Sequence, residues 1–306
     1  MALRGPLDQR LENRPMGSAE LVRLAPLLEL TSGRPEVVIG LLDGPVAISH
    51  PDLAAACIRE VPRGVPCTCT DLGSAACAHG TFVAGILCAR RGSAAPAICP
   101  GCTLLVRPIY QETPRGDGQL PSATAEQLAA AIVECVEAGA RVLNVSSAFA
   151  QPSTKGEREL EQALDHAARR GAVVVAAAGN QGTLGSSAIT RHSGVIPVAA
   201  CDIRGQPIAQ SNLGRSIGRR GLLAPGASVT SLGTAGGPLT SGGTSVAAPF
   251  VTGAIALVWS EFPKATASEV RFAVTQGHTP RRPMIVPPLL DAWAAYRAMA
   301  AAHARR

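Results

Sequence analysis

Val37-Val38-Ile39-Gly40-Leu41-Leu42 is a short apolar run that ends in Asp43-Gly44. Unbroken hydrophobicity of this length is the pattern of a strand buried on both faces, and the acid and glycine mark where it leaves the core. Runs of the same kind recur at 103–109, 141–146, 172–178 and 195–200. Helix-like segments lie between them. Residues 124–138 open with Thr124 and Gln127, a pair resembling a capping box, and stop at Gly139. Residues 157–170 are amphipathic and stop at Gly171. Strand and helix alternating in this way predict an α/β fold with a mostly parallel central sheet and helices on both faces. No repeat of fixed period and no long polar linker divides the chain. One domain is therefore expected over 36–306, after an N-terminal extension of residues 1–35 that includes a short leucine-rich helix at 21–30. In open sheets of this kind, chemistry gathers beyond the carboxyl ends of the strands.

Composition narrows what that chemistry is. With 46% hydrophobic and 16% charged residues, the chain can build a core and is not a solvated polymer. Aromatics at 3% leave nothing for the stacking platforms that read single-stranded nucleic acid. The net charge of +6 is scattered over short pairs such as Arg219-Arg220, so nucleic acid is not an expected partner. Residues 221–260 carry no charge, yet Gly236-Gly237-Pro238 and the glycines at 242 and 243 break the stretch, so it reads as buried backbone rather than a membrane span. The first residues show no apolar signal segment, and a cytoplasmic location is expected.

Nine cysteines are many for such a compartment, and seven of them (57, 67, 69, 77, 88, 99 and 102) crowd into one segment. Reduced structural thiols, one or two disulfides, and a zinc site all remain open readings. Zinc is the least favoured, because Cys67-Thr68-Cys69 is too tight and Cys99-Pro100-Gly101-Cys102 lacks a second pair. The segment 57–78 has little apolar bulk to order it, so at least one disulfide is expected between positions 57 and 102.

Three segments carry reactive groups. Asp43 follows the first strand; His79 opens His79-Gly80-Thr81-Phe82-Val83-Ala84-Gly85; Ser245 stands in Ser241-Gly242-Gly243-Thr244-Ser245-Val246-Ala247-Ala248-Pro249. Singly they read as a turn aspartate, a loop histidine and a helix cap. Together they match what acyl transfer requires, a serine activated by a base that is itself held by a carboxylate. A fourth segment, Ala176-Ala177-Ala178-Gly179-Asn180-Gln181-Gly182, offers the Asn180 amide to a developing oxyanion, with the Ser245 N–H as second donor.

These four motifs, in this order, resemble the subtilisin-like serine peptidases. His50-Pro51-Asp52-Leu53 after the aspartate and Leu289-Leu290-Asp291-Ala292 near the end add to the likeness, which runs from about residue 36 onward. The resemblance implies a three-layer fold, Asp43, His79 and Ser245 as catalytic residues, and Asn180 in the oxyanion hole. It also implies that Ser146, Ser147, Ala148, Ala178 and Gly179 bind substrate, a peptide or protein in extended conformation, with no cofactor; no metal is expected, because the loop of the family's strong calcium site is missing here. A narrower likeness joins Asp43-Gly44-Pro45-Val46, Cys99-Pro100-Gly101-Cys102 and Gly221-Leu222-Leu223-Ala224-Pro225-Gly226 to the cyanobactin maturation peptidases, which trim ribosomal peptides. One branch of those also closes macrocycles, using an insertion before the histidine helix. The corresponding stretch here, 57–78, is short and reads at most as a small lid, so hydrolysis is expected over macrocyclisation or non-catalytic peptide binding.

Departures from the family pattern sharpen the expectations. The first strand begins near residue 36, too early for a folding prodomain before it. Asp52 matches one calcium-ligand position of the family, but the loop that completes the strong site is missing between Arg90 and Pro96, and a hard cation wants 6–8 oxygens. The substrate strand reads Asn144-Val145-Ser146-Ser147-Ala148-Phe149 without the family's glycine pair, and Phe149 is placed to narrow the groove or fill its rim. Arg191-His192 falls near the primary specificity pocket and is read as a surface loop in preference to a polar selector.

Overall fold

Alternate residues of the first strand face two different cores. In the computed structural model, which describes residues 17–62, 65–112, 123–146, 156–276 and 284–304, Ile39 and Leu41 join one buried cluster while Val38 and Leu42 join the other. This is the two-faced strand that the apolar run predicts. In chain order the elements are α1 Ser18–Leu21, α2 Ala25–Leu30, β1 Val38–Asp43, β2 Cys57–Glu60, α3 Ala75–Cys88, β3 Thr103–Pro108, α4 Ala125–Glu137 and β4 Val142–Val145. They continue as α5 Glu157–Arg169, β5 Val173–Ala177, α6 Ala188–Arg191, β6 Val195–Cys201, α7 Arg215–Arg220, β7 Leu222–Pro225, β8 Val229–Leu232, β9 Pro238–Ser241, α8 Thr244–Glu261, α9 Ala267–Gln276 and α10 Ala292–His303.

Among the described residues, seven strands form one sheet in the order β2-β3-β1-β4-β5-β6-β7, every pair parallel, while β8 and β9 make a separate antiparallel hairpin. Helices α3 and α8 cover one face, and α4, α5 and α6 the other. The three-layer α/β architecture expected from the sequence is the one observed. The capping box at Thr124 is present, with Gln127 N–H donating to Thr124 Oγ1 at 3.2 Å and Thr124 N–H to Gln127 Oε1 at 2.9 Å.

The leucine-rich segment near the N-terminus is not one helix but two. Arg23 takes a positive φ of 51° between them, and Pro26 starts the second. Val22, Leu24 and Leu27 are nonetheless fully buried in the larger core. Among the described residues, no helix is long and apolar enough to cross a membrane.

Candidate active site

β1 delivers Asp43 at its carboxyl end, where the side chain is fully buried. Two glycines then let a helix come against the loop that follows. A Cβ on Gly44 would lie 1.9 Å from the Ala76 carbonyl oxygen, and one on Gly80 would lie 2.4 Å from the carbonyl oxygens of Gly44 and Pro45. Only hydrogens fit there, so the Asp-Gly and His-Gly pairs are what allow α3 to abut the end of β1. That contact sets His79 against Asp43. His79 Nδ1 stands 2.6 Å from Asp43 Oδ1, which also accepts the Gly44 N–H at 2.6 Å. Because an ionised carboxylate can only accept, the imidazole proton belongs on Nδ1. Nε2 is then free to accept from Ser245 Oγ, 2.9 Å away.

Ser245 is the second residue of α8, reached through Gly243 at φ +128°. Its N–H is among the first of the helix and has no acceptor within it. Pro249 has no N–H to give the Ser245 carbonyl, which loosens the same turn. Asn180 lies beside this turn. Its Oδ1 accepts from Thr244 N–H at 2.8 Å and Thr244 Oγ1 at 3.0 Å, and a Cβ on Gly243 would come within 3.0 Å of its Nδ2. The oxygen is thereby committed to Thr244, and Asn180 itself is exposed. Two residues hold this loop: Thr244 of the serine motif, and Asn212, which the sequence did not single out. Thr244 Oγ1 accepts the Gly179 N–H at 3.1 Å, and Asn212 donates its N–H to the Gly179 carbonyl at 2.8 Å and its Nδ2 to that of Ala178 at 3.2 Å.

The electrostatics of His79 are a contest. Burial alone would push its pKa down, but the charge of Asp43 and the hydrogen bond to it together outweigh that and raise it above the ordinary 6.5. Asp43 Oδ2 is buried with no hydrogen-bond partner among the described residues.

The remaining residues singled out in the sequence fall as follows. Ser146 is buried one residue past β4, its N–H donated to Leu42 O at 3.2 Å and its carbonyl 3.5 Å from Tyr110 Oη. Ser147, Ala148 and Phe149 lie outside the described residues. Asp52 pairs with Arg90, whose Nη2 lies 2.9 Å from its Oδ1. Arg191 and His192 turn toward Glu157 and Asp165 of α5, at 3.4 and 3.2 Å, so both have protein partners. Cys69 and Cys77 form the disulfide expected in the cysteine-rich segment, and the exposed thiol of Cys57 and the buried thiols of Cys67, Cys88, Cys99, Cys102, Cys135 and Cys201 are free. Burial, helped by Glu60, pushes the Cys67 thiol up to about 12, so it stays protonated and inert.

A parallel α/β sheet with a hydrogen-bonded Asp–His–Ser chain beyond its strand ends defines a class of protein, the serine hydrolases of α/β type. Comparison with known proteins narrows it. The model of the "Subtilase family" matches residues 34–283, and the chain belongs to that family. It is 33% identical over 242 residues to the thermostable alkaline protease of Halalkalibacterium halodurans, covering 79% of this chain and 62% of that protein. With subtilisin DY of Bacillus licheniformis it shares 31% over 240 residues, 77% of this chain and 81% of the relative. Among solved structures, a mutant of the protease domain of PatA superposes with a TM-score of 0.79 at 28% identity, over 88% of this chain and 97% of that one. The prenylagaramide maturation protease PagA gives 0.77 at 26%, over 90% and 98%.

Proposed function

We propose that this protein is a serine endopeptidase that cuts extended peptides, and that its substrate is a ribosomally made peptide under maturation. The observation that carries the first part is the unbroken chain Asp43–His79–Ser245, at 2.6 and 2.9 Å, beside the Asn180 amide. His79 takes the Ser245 proton as Oγ attacks the scissile carbonyl, then passes it to the leaving amine. Asp43 fixes the tautomer and stabilises the imidazolium. The Asn180 NH₂ and the Ser245 N–H receive the oxyanion. Water then releases the acyl group. No cofactor takes part in these steps. Substrate lies along Ala178 and Gly179 on one side and the segment after β4 on the other. Ser146, Ser147 and Ala148 are assigned the pairing with the peptide. The likeness to the PatA and PagA maturation proteases supports the second part of the reading. Seven free thiols beside a single disulfide suit a reducing, cytoplasmic setting.

Labelling with a fluorophosphonate tests the reading directly. The probe is expected on Ser245, located by peptide mass spectrometry, and lost in Ser245→Ala. A protein that is folded yet unlabelled would be a peptide binder rather than a peptidase. Mass spectrometry of products from a peptide library then separates capture of the acyl-enzyme by water, which is expected, from capture by an amine, which would make the protein a macrocyclase.

A further inference from the structure

Next to His79, but outside the hydrogen-bonded chain, three side chains of metal-binding type meet. Cys77 is in the first turn of α3, two residues before the histidine; Cys69 lies in the loop ahead of it, with the two Cα atoms 5.6 Å apart. Glu112, just beyond β3, reaches the same spot. One ligand atom from each of Cys69, Cys77 and Glu112 lies within 4.8 Å of the other two, and no other such trio occurs among the described residues. The loop is held in place by more than the disulfide. Val46 N–H donates to Cys67 O at 2.8 Å and Cys69 N–H to Val46 O at 3.2 Å. The Glu112 carboxylate accepts the N–H groups of Thr70 and Asp71, each at 3.0 Å, and Thr234 Oγ1 donates to Leu72 O at 2.7 Å. Cutting the sulfur–sulfur bond therefore leaves both sulfurs and the carboxylate facing one another, already ordered.

We propose that when the Cys69–Cys77 bond is reduced, Cys69, Cys77 and Glu112 bind one zinc-like divalent cation, which takes over from the disulfide in tying the loop to the helix that carries His79. A dithiol reductant gives two electrons and two protons to the disulfide and leaves as its own cyclic disulfide. Binding of the cation then releases both thiol protons, and the three negative charges of the two thiolates and the carboxylate exceed the two of the cation by one. Tetrahedral zinc takes thiolates at about 2.3 Å and carboxylate oxygens at about 2.0–2.2 Å, which sets the sulfurs about 3.8 Å apart. Side-chain rotation supplies that separation across Cα atoms 5.6 Å apart. Three protein ligands leave the fourth position to water. The loop thus has a covalent staple under oxidising conditions and a metal staple under reducing ones.

Cobalt(II) is the probe, because thiolate ligation gives it a charge-transfer band and a tetrahedral site gives it intense d–d absorption. Protein reduced with dithiothreitol and desalted without oxygen is expected to bind one cobalt per chain with both features, and zinc to displace it. The oxidised protein is expected to show neither. Cys69→Ser and Cys77→Ser should abolish the spectrum, whereas Cys57→Ser, which removes the exposed free thiol, should retain it. Glu112→Gln leaves the disulfide able to form and should weaken cobalt binding by about tenfold or more, since even groups outside the ligand shell are worth about 10–100-fold. A featureless titration of reduced wild type, or an undiminished spectrum in Cys69→Ser, overturns the proposal. Unchanged affinity in Glu112→Gln overturns the three-ligand site.

Discussion

His79 is where burial and charge pull in opposite directions, and the sign of the outcome shows in the pH dependence. Its pKa is raised above 6.5 because the Asp43 charge and hydrogen bond exceed the burial penalty. Protonated His79 therefore favours the fold, an effect complete below 6.5 and lost as pH climbs through the raised value. Catalysis needs the other form, a neutral imidazole. The acid limb of kcat/KM should accordingly lie above 6.5 and move down in Asp43→Asn; a limb at or below 6.5 in the parent would show that Asp43 does not control the base. Asn180 has two jobs that one substitution separates. Asn180→Asp keeps an oxygen for the Thr244 N–H, now 2.8 Å away, but replaces the donor with a charge that repels an oxyanion. Loss of one such donor in subtilisin costs about 10²–10³ in kcat, so a fall of at least about 100-fold is expected with KM little changed. A parent-like kcat would remove Asn180 from the oxyanion hole. Both residues were legible in the sequence because each sits in a compact motif beside a glycine. Asn212 was not, since it acts across 34 residues of chain on Ala178 and has no local pattern of its own.

At the scale of elements, the reaching of α3 to the end of β1 decides whether the base meets its carboxylate. Gly80 is the pivot. A methyl group there would meet two backbone carbonyl oxygens at 2.4 Å, and neither belongs to a side chain that could swing aside. Gly80→Ala is expected to push the helix off, costing about 1–3 kcal/mol of stability and reducing kcat by a larger factor than the loss of folded protein accounts for. Thermal unfolding and kinetics measured on the same sample distinguish the two, and an alanine variant with parental kcat would mean the helix has room to spare. The long elements were legible for reasons the structure bears out, since α4 has its capping box and the core strands their apolar runs. The short ones were not. β2 is an edge strand of 4 residues with mostly exposed side chains, and β8 and β9 are 4 residues each, too brief for any period to declare itself. The break between α1 and α2 was hidden for a different reason. Leucines at helical spacing continue through it, while the turn rests on a positive φ at Arg23, a residue type with no preference for that conformation.

For the whole molecule, the segment before β1 is the least expected contributor. The family match begins at residue 34, and composition makes the preceding stretch read as an appendage. In the structure its described part is bound into the domain from several sides. Val22 O accepts the Ala292 N–H at 3.0 Å, Arg23 pairs with Asp291 at 2.9 Å, and Arg91 donates to the carbonyls of Leu28 and Thr31 at 2.5 and 2.7 Å. The N-terminal segment thus locks onto α10 at the far end of the chain and onto the loop after the histidine helix. Val22, Leu24 and Leu27 are all fully buried in the core that α3 and α8 share. Burial of side chains of this size is worth about 1.5–3 kcal/mol each, as an upper estimate. Domains are stable by only about 5–15 kcal/mol in total. Removing residues 1–33 should therefore cost most of the stability of the fold, so that a chain beginning at the family boundary melts far below the full one or fails to express in soluble form. Three single substitutions, Val22→Ala, Leu24→Ala and Leu27→Ala, keep the test open if the truncation yields nothing. Each should lower the denaturant midpoint at constant m-value, with the leucines costing about 2–5 kcal/mol because a cavity is added to the lost transfer energy. Midpoints unchanged in all three would show that the segment only rests on the domain surface and that residues 34 onward fold without it.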